Sequence, residues 1–306
     1  HSQWVSGSRA LGNSWTAKSG SSFVLTGSSA GFKKFTSPMF GGCDGYDVTE
    51  QDPFSNRRMS GSPTSRNNSP FYSLKKAIDI TADTDFLEYD VATIPGITNT
   101  SLTSQLVTAC EDRADSLAII DLPGGYLPPH ERSTSESETT NLGSVEGTVT
   151  NLKAMNLNSS YGCAFYPFVK IRDNVANSML YVPPSVVALG TMSSAQRKSA
   201  VWFAPAGFTR GGLSEGSAGL PVVGVRQRLT SDERDRLYEA NINPIASFPA
   251  EGIVIFGQKT LQVTQSSLDR INVRRLLIHV KKEVSRIASR ILFDQNVQQT
   301  WDRFTG

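Results

Sequence analysis

The residue types that build metal and redox sites are scarce in this sequence. The cysteines and histidines number three each: Cys43, Cys110, Cys163, His1, His130 and His279. The cysteines are far apart and none belongs to a C-x-x-C pair, so the pattern supports neither a zinc site nor a disulfide framework. Free thiols in a reducing cytoplasm are the plain interpretation, and we expect the protein to use no cofactor.

Long hydrophobic runs and an excess of one charge are also missing. The 30 basic and 28 acidic residues leave a formal net charge of +2, which gives no long-range field to collect nucleic acid or acidic membranes. No apolar run approaches the ~20 residues that span a bilayer. We therefore expect neither nucleic-acid binding nor membrane insertion. At 306 residues, the chain has room for two domains of ordinary size.

Composition divides the chain near residue 70. Residues 1–70 are rich in Ser, Gly, Thr and Asn, which predicts a β-rich, loop-rich peripheral region. Residues 71–306 carry the apolar patterns of an α/β core. Polar segments near residues 60 and 135 predict exposed loops. Because the chain starts with His1 rather than Met and ends soon after a strong helix, we interpret it as an internal fragment of a longer protein.

For the core we predict a mixed α/β fold with a largely parallel sheet flanked by helices. Strand 86–94, helix 102–113 and a buried strand at 116–121 follow one another, which implies a right-handed parallel crossover. The same reasoning predicts a helix capped by Ser69, a helix over 145–155, a strand over 164–171, a helix from about Val186 capped by Ser185, a capping box at Thr230–Glu233, and a hairpin over 245–256.

Two kinds of chemistry are suggested by short motifs, and each has a plainer structural interpretation. Ser29 and Ser214 lie in G-x-S-x-G patterns, but neither has the preceding strand and following helix that a nucleophile elbow needs. Asp121 ends a predicted parallel strand, where ligands often bind, and Asp44 and Asp90 are candidates to join it in an acidic metal site. No histidine, lysine or second nucleophile accompanies Asp121, so we favour a role in capping or ordering a loop.

The last helix, predicted over 271–292, has the clearest pattern in the chain. Its apolar residues keep helical spacing over five turns: Val273, Leu276, Leu277, Val280, Val284, Ile287, Ala288 and Ile291. Basic residues crowd the rest of its surface, among them Arg274, Arg275, Lys281 and Lys282. Because the net charge is small, we expect this basic face to meet an acidic protein surface rather than phosphates.

The stretch 201–208 matches no catalytic chemistry. Trp202 is a large apolar anchor in it, with Phe203 and Phe208, and Pro205 and Gly207 bend the chain. With six other segments in order, it resembles the contractile tail sheath proteins of bacteriophages. The other resembling segments are Gly41, Gly42, Asp44 and Gly45 in a turn, Pro95–Gly96, Arg113 to Pro123 with Asp121, 166–170 with Pro183 and Pro184, 237–249 with Asn243 and Pro244, and 274–282.

The resemblance implies a structural subunit with no active site. Subunits of that family stack as rings into a helical tube around an inner tail tube, and a baseplate signal starts the contraction that drives the tube through the cell envelope. The implied partners are other copies, the tail tube protein and the baseplate, and the implied location is the virion tail, assembled in the host cytoplasm.

The resemblance also makes Arg274, Arg275, Lys281 and Lys282 the candidate subunit interface. Family members add strands to neighbouring subunits through terminal arms. We expect this fragment to lack those arms and therefore to be monomeric. Two other function classes stay open: a virion-surface carbohydrate-binding β module that uses aromatics such as Trp4, Trp15 and Tyr46, and a hydrolase that uses Asp121 or a loop serine.

Overall fold

The computed structural model describes residues 4–5, 8–9, 54–57, 59, 68–131, 143–214 and 219–305. The chain divides into two units, His1–Pro53 and Phe54–Gly306. In the first unit, the described residues form one short antiparallel pair, β1 (Trp4–Val5) and β2 (Ser8–Arg9). The division that we predict after residue 70 stays a prediction, and the following description concerns the second unit.

Helices and strands are interspersed along the second unit. Its helices are α1 (Ser69–Thr81), α2 (Thr100–Arg113), α3 (Val145–Met155), α4 (Pro184–Lys198), α5 (Gly207–Arg210), α6 (Ser231–Glu239), α7 (Ile271–Ser289) and α8 (Gln298–Thr305). Its strands are β3 (Val91–Thr93), β4 (Leu117–Ile120), β5 (Gly162–Tyr166), β6 (Val169–Asp173), β7 (Ser178–Val182), β8 (Val222–Val225), β9 (Ile242–Phe248) and β10 (Gly252–Ile255).

The strands form two sheets. The main sheet has the order β10–β9–β5–β4–β3, in which β3, β4, β5 and β9 are parallel and β10 is antiparallel to β9. The second sheet is antiparallel, with the order β7–β6–β8. The predicted α/β class, with a largely parallel sheet flanked by helices, is confirmed.

Apolar side chains cover both faces of the main sheet. Along β4, Ala118 and Ile120 belong to one core cluster, while Leu117 and Ile119 belong to the other. The first cluster includes residues of α2, α3 and α6, and the second includes residues of α4 and α7. All four β4 side chains are at most 1% exposed, as a strand covered on both faces requires.

Two predicted strands differ in the structure. The strand predicted over 164–171 is two strands, β5 and β6, which lie in different sheets. Pro167 lies between them, and a proline has no N–H to continue a ladder. The strand predicted over 86–94 shortens to β3, and Phe86 and Leu87 are 68% and 40% exposed. Met59 also departs from the predicted exposed loop near residue 60, since it is 1% exposed and belongs to the core.

The helix starts were predicted with mixed success. Asn68 rather than Ser69 caps α1, because its side chain accepts from the Phe71 N–H at 3.3 Å. Helix α4 has no side-chain cap, so Ser185 does not cap it. The Thr230–Glu233 capping box is confirmed in both of its hydrogen bonds, and α3 has the predicted bounds. Local patterns therefore placed the helices well and their caps less well.

Candidate subunit interface

Helix α7 faces the main sheet with part of its basic side. Ile271, Arg274, Arg275 and Ile278 are between 0% and 7% exposed and share one side of the helix. The opposite side carries Leu277, Val280, Val284 and Ile287, which are 42% to 48% exposed. These four residues are called the apolar stripe below. The apolar pattern of the sequence is present, but the structure turns much of it outward.

The two arginines fit inside the unit because other side chains receive their guanidinium groups. Arg274 stacks over the Tyr161 ring, 4.0 Å from its centroid, and donates to Ser160 Oγ. Arg275 donates to Gln196 Oε1 at 3.1 Å. Burial lowers the pKa of both arginines, but a guanidinium is weakly hydrated and stays charged in such a site. A partner that binds the surface of this unit therefore does not reach them.

The two lysines contact the chain's own backbone and carboxylates. Lys281 Nζ lies 3.4 Å from the Arg113 carbonyl oxygen and 3.3 Å from that of Ala114, at the C-terminal end of α2. A cation is favourable at that end because the helix dipole is negative there. Lys282 Nζ binds Asp90 Oδ1 at 2.6 Å and the Tyr89 carbonyl oxygen at 2.7 Å. The acidic group that we predicted on a neighbour is thus supplied, for Lys282, by this chain.

These contacts bear on the interface that we predict at the basic face of α7. Arg274 and Arg275 are buried and Lys282 is paired, so the predicted basic face is largely used within the unit. The apolar stripe is the exposed apolar part of the helix, and it lies beside exposed polar residues such as Lys281 and Ser285. The helix ends at Ser289 rather than near residue 292. The interface at the basic residues stays a prediction, and the apolar stripe is a second exposed surface on the same helix.

Exposed apolar side chains continue beyond the stripe. After α7, five such residues are 38% to 96% exposed: Leu292, Phe293, Val297, Trp301 and Phe304. Trp202 is 43% exposed, and its ring centroid lies 6.0 Å from that of His279 on α7. Contiguous exposed apolar surface usually marks a contact site. Among the described residues, no helix combines the length and the apolar character needed to cross a membrane.

Asp121 joins two backbone segments instead of binding a ligand. Its Oδ2 accepts from the Gly96 N–H at 2.8 Å and from Ser185 Oγ at 2.7 Å, and its Oδ1 accepts from the Ser185 N–H at 3.1 Å. Burial raises the pKa of Asp121 to about 6, although these hydrogen bonds favour the charged form. Gly96 has φ +78° and lies beside Pro183. The carboxyl group thus holds the turn after β3 against the start of α4, where Pro184 is the first residue.

The other candidate chemical groups do not converge on Asp121. Asp90 binds Lys282 and its side chain is 57% exposed, whereas Asp121 is 1% exposed. Ser214 Oγ accepts from the Ile253 N–H at 2.7 Å. Within the described part of the chain, no three His, Cys, Asp or Glu residues form a group that could hold a metal ion. Asp44 and Ser29 lie outside the described residues.

The remaining motif residues have packing and hydrogen-bonding contacts. Asn243 is fully buried in β9, where its Nδ2 donates to the carbonyls of Ala164 and Lys259 and its Oδ1 accepts from the Lys259 N–H. Pro244 follows it and its carbonyl accepts from the Phe256 N–H. These bonds tie β9 to β5 and to the segment after β10. A buried asparagine of this kind is detectable from sequence only as a polar residue in an apolar strand.

The 201–208 stretch packs less tightly than we expect from its large side chains. Pro205 is buried and Gly207 begins α5 with φ +79°. Trp202, Phe203 and Phe208, however, are 40% to 51% exposed. Some predicted motif and glycan-binding residues lie outside the described residues: Gly41, Gly42, Asp44, Gly45, Trp15 and Tyr46. For Trp4, the description is limited to the backbone of β1.

Comparison with known proteins adds an evolutionary relation. No family model matches the chain. The tail sheath protein of Vibrio phage KVP40 is 28% identical over 186 residues, which are 58% of this chain. The tail sheath protein of Enterobacteria phage T4 is 26% identical over 199 residues, or 65% of this chain. The chain is similar in sequence to the tail sheath proteins of these two phages. The matches span only 27% and 29% of the length of those two sheath proteins.

Solved sheath structures share the fold. The sheath complex of an extracellular contractile injection system (PVC), in its contracted state, aligns with a TM-score of 0.54 and 21% identity, covering 71% of this chain and 52% of that chain. The helical sheath of the anti-feeding prophage (AFP), also contracted, aligns with a TM-score of 0.52 and 22% identity, covering 79% of this chain and 57% of that chain. At these identities, the alignments establish a common sheath fold.

Proposed function

We propose that this chain is part of a structural subunit of a phage contractile tail sheath. Copies of the subunit polymerise as stacked helical rings around a tail tube, attach to a baseplate and contract to drive the tube through the host envelope. The relation to two phage tail sheath proteins and the common fold with contracted sheaths support this proposal. The subunit is assembled in the bacterial cytoplasm and is a component of the virion.

Within this chain, the outward orientation of the apolar stripe is the observation that best supports the proposal. Half-exposed Val and Leu side chains on one side of a long helix are unfavourable in water, and burial of each stabilises an assembly. A neighbouring copy is the occupant that a sheath supplies. Because the stripe carries no charge, we expect this contact to be insensitive to salt.

A non-enzymatic mechanism fits the same surfaces. In a sheath, the work of contraction comes from the difference in free energy between two arrays of subunit contacts, so no nucleotide is required. Subunits that move as rigid bodies need a body that does not deform. The main sheet, buried on both faces, and the Asp121 bonds that join β3 to α4 support such a rigid body.

Light scattering with negative-stain microscopy tests the proposal. We expect the 306-residue chain to be monomeric at low concentration and the full-length protein to form tubes. A discrete small oligomer from both would contradict the sheath function and reopen the hydrolase and carbohydrate-binding classes. A hydrolase that uses Asp121 would lose turnover in an Asp121→Asn variant, whereas a carbohydrate-binding module would bind glycans.

The contribution of the stripe is tested in the full-length protein by Val284→Asp. We expect the variant to lose most tube formation, because a carboxylate in an apolar contact is costly to desolvate. Ser285→Asp is the matched control, since Ser285 is exposed on α7 outside the stripe. Equal assembly by both variants would remove the stripe from the interface and leave the sheath function in place.

A further inference from the structure

A cluster of exposed phenylalanines lies at the β10 edge of the main sheet. The ring centroids of Phe208, Phe248 and Phe256 are 5.2 to 5.8 Å apart, and Phe208 and Phe256 are 51% and 44% exposed. The guanidinium of Arg234 lies over two of the rings, 5.0 Å from the Phe248 centroid and 5.9 Å from that of Phe256. This phenylalanine cluster is therefore an apolar surface with a cation at its margin.

A protruding acidic segment precedes β3, at the other edge of the sheet. We call residues 83–88 the acidic knob. Asp83, Asp85, Phe86, Leu87 and Glu88 are all exposed, and Phe86 is 68% exposed. Glu88 contacts Arg286 at 3.3 Å, so Asp83 and Asp85 are its available acids. The knob presents one large aromatic ring between carboxylates.

The acidic knob is held in place from inside. Arg113 Nη1 donates to the carbonyls of Thr81 and Asp83, and Nη2 donates to that of Leu87, each at 2.8 Å. The Asp85 N–H also donates to Asp83 Oδ1 at 2.9 Å. A segment ordered before binding loses little conformational entropy when it binds. An exposed phenylalanine on such a rigid segment is suited to dock into a partner.

The two surfaces lie too far apart to meet within one copy. They are at the β3 and β10 edges of the main sheet, with β4, β5 and β9 between them. At ~4.8 Å per strand, four spacings separate the edges by about 19 Å. We propose that the acidic knob of one copy docks on the phenylalanine cluster of the next copy, with Phe86 against the rings and Asp85 near Arg234. The proposal rests on the proposed sheath function.

A second copy is the expected partner because the phenylalanine cluster and the acidic knob are complementary. One surface is aromatic and basic, the other aromatic and acidic, and aromatic pairs and ion pairs are both favourable at the edge of a contact. Two different patches on one chain make a heterologous contact, which generates an open helical array when its rotation does not close. A second copy in such an array supplies the missing half of each surface.

Cross-linking between copies tests this contact. One protein carries Thr84→Cys in the knob and another carries Ala250→Cys in the hairpin turn beside Phe248, both exposed positions. Both also carry Cys43→Ser, and Cys110 and Cys163 are buried. With a bis-maleimide linker, we expect the mixture to give at least tenfold more covalent dimer than either protein alone. Equal yields from the mixture and the single proteins would overturn the contact.

Substitution and charge exchange provide the controls. Phe86→Ser in the knob partner should lower the mixed product about tenfold, whereas Val175→Ser, at another exposed apolar side chain, should leave it unchanged. Asp85→Arg on one partner should also lower it, and Arg234→Asp on the other should restore it. Tubes of full-length protein without this cross-link would overturn the contact alone, whereas a cross-link without tubes would count against the sheath function.

Discussion

At the residue scale, Arg113 is the most heavily bonded side chain among the described residues of α2. Every N–H of its guanidinium has an acceptor: Asp115 receives two bonds, and the carbonyls of Thr81, Asp83 and Leu87 receive the others. Arg113 is 6% exposed and also stacks over the Tyr89 ring. One buried fork thus joins the end of α2 to the segment that precedes β3.

We expect Arg113→Lys to lower the free energy of unfolding by about 3 kcal/mol, because lysine cannot reproduce the planar fork and leaves buried acceptors without donors. Urea unfolding measures the change. Arg286→Lys is the control at a half-exposed ion pair, where we expect less than about 0.5 kcal/mol. An equal loss of unfolding free energy in the two variants would show that the Arg113 hydrogen bonds contribute no more than an exposed ion pair.

Asp121 gives the fold a pH dependence with a defined sign. Burial raises its pKa from 3.8 to about 6 in the folded protein. Between these values the folded state binds more protons than the unfolded chain, so the free energy of unfolding falls as pH rises through the window, by about 3 kcal/mol. Asp121→Asn should remove this component. Unfolding from about pH 4 to pH 7 checks it, and identical pH slopes in both proteins would contradict it.

At the scale of elements, the amphipathic pattern of α7 does not decide which of its sides is buried. Its sequence has one apolar side and one basic side, and the apolar side is the ordinary choice for the core. In the structure, Arg274 and Arg275 pack inward through Tyr161, Ser160 and Gln196, while the apolar stripe is half-exposed. Such an orientation suits a helix that contacts its own sheet with one side and a second body with the other.

Stability measurements on the 306-residue chain should distinguish the two sides of α7. We expect Ile278→Ala to lower the free energy of unfolding by about 3 kcal/mol, since Ile278 is 4% exposed and its loss leaves a cavity. Val280→Ser, on the stripe, should cost no more than about 1 kcal/mol. The opposite order in thermal or urea unfolding would place the stripe in the core and remove it as an interface.

At the scale of the whole molecule, the second unit joins a largely parallel sheet, covered on both faces, to a smaller antiparallel sheet. The chain leaves the first sheet at Tyr166 and enters the second at Val169. The sequence has long polar segments near residues 60 and 135. Met59 shows that the first of them begins inside the core.

Limited proteolysis checks that organisation. We expect trypsin to cut first after Arg66 and Arg132, in the polar segments that the sequence predicts to be exposed loops, because cleavage needs an accessible backbone. Arg113, buried and fully bonded, should resist until the unit unfolds. Mass spectrometry of early fragments identifies the sites, and an early cut after Arg113 would contradict the proposed rigid body.

Much of the fold was predictable because its signals are local. The buried strand β4 follows from an uninterrupted apolar run, α3 from helical spacing, and the start of α6 from the Thr230–Glu233 box, each within a few residues of sequence. The resemblance to tail sheath proteins was carried by ordered short motifs, and the relation to two of those proteins confirms it.

Tertiary contacts decided what local signals could not. Ser185 bonds with Asp121 rather than capping α4, because a carboxyl group distant in sequence lies at the helix start. Lys282 meets Asp90 of the same chain, almost 200 residues away in sequence. The sequence by itself determined the elements, their order and the family they resemble, since spacing and caps are properties of short segments. Which side of α7 faces the sheet depended on Tyr161, Ser160 and Gln196, which only folding brings beside the helix.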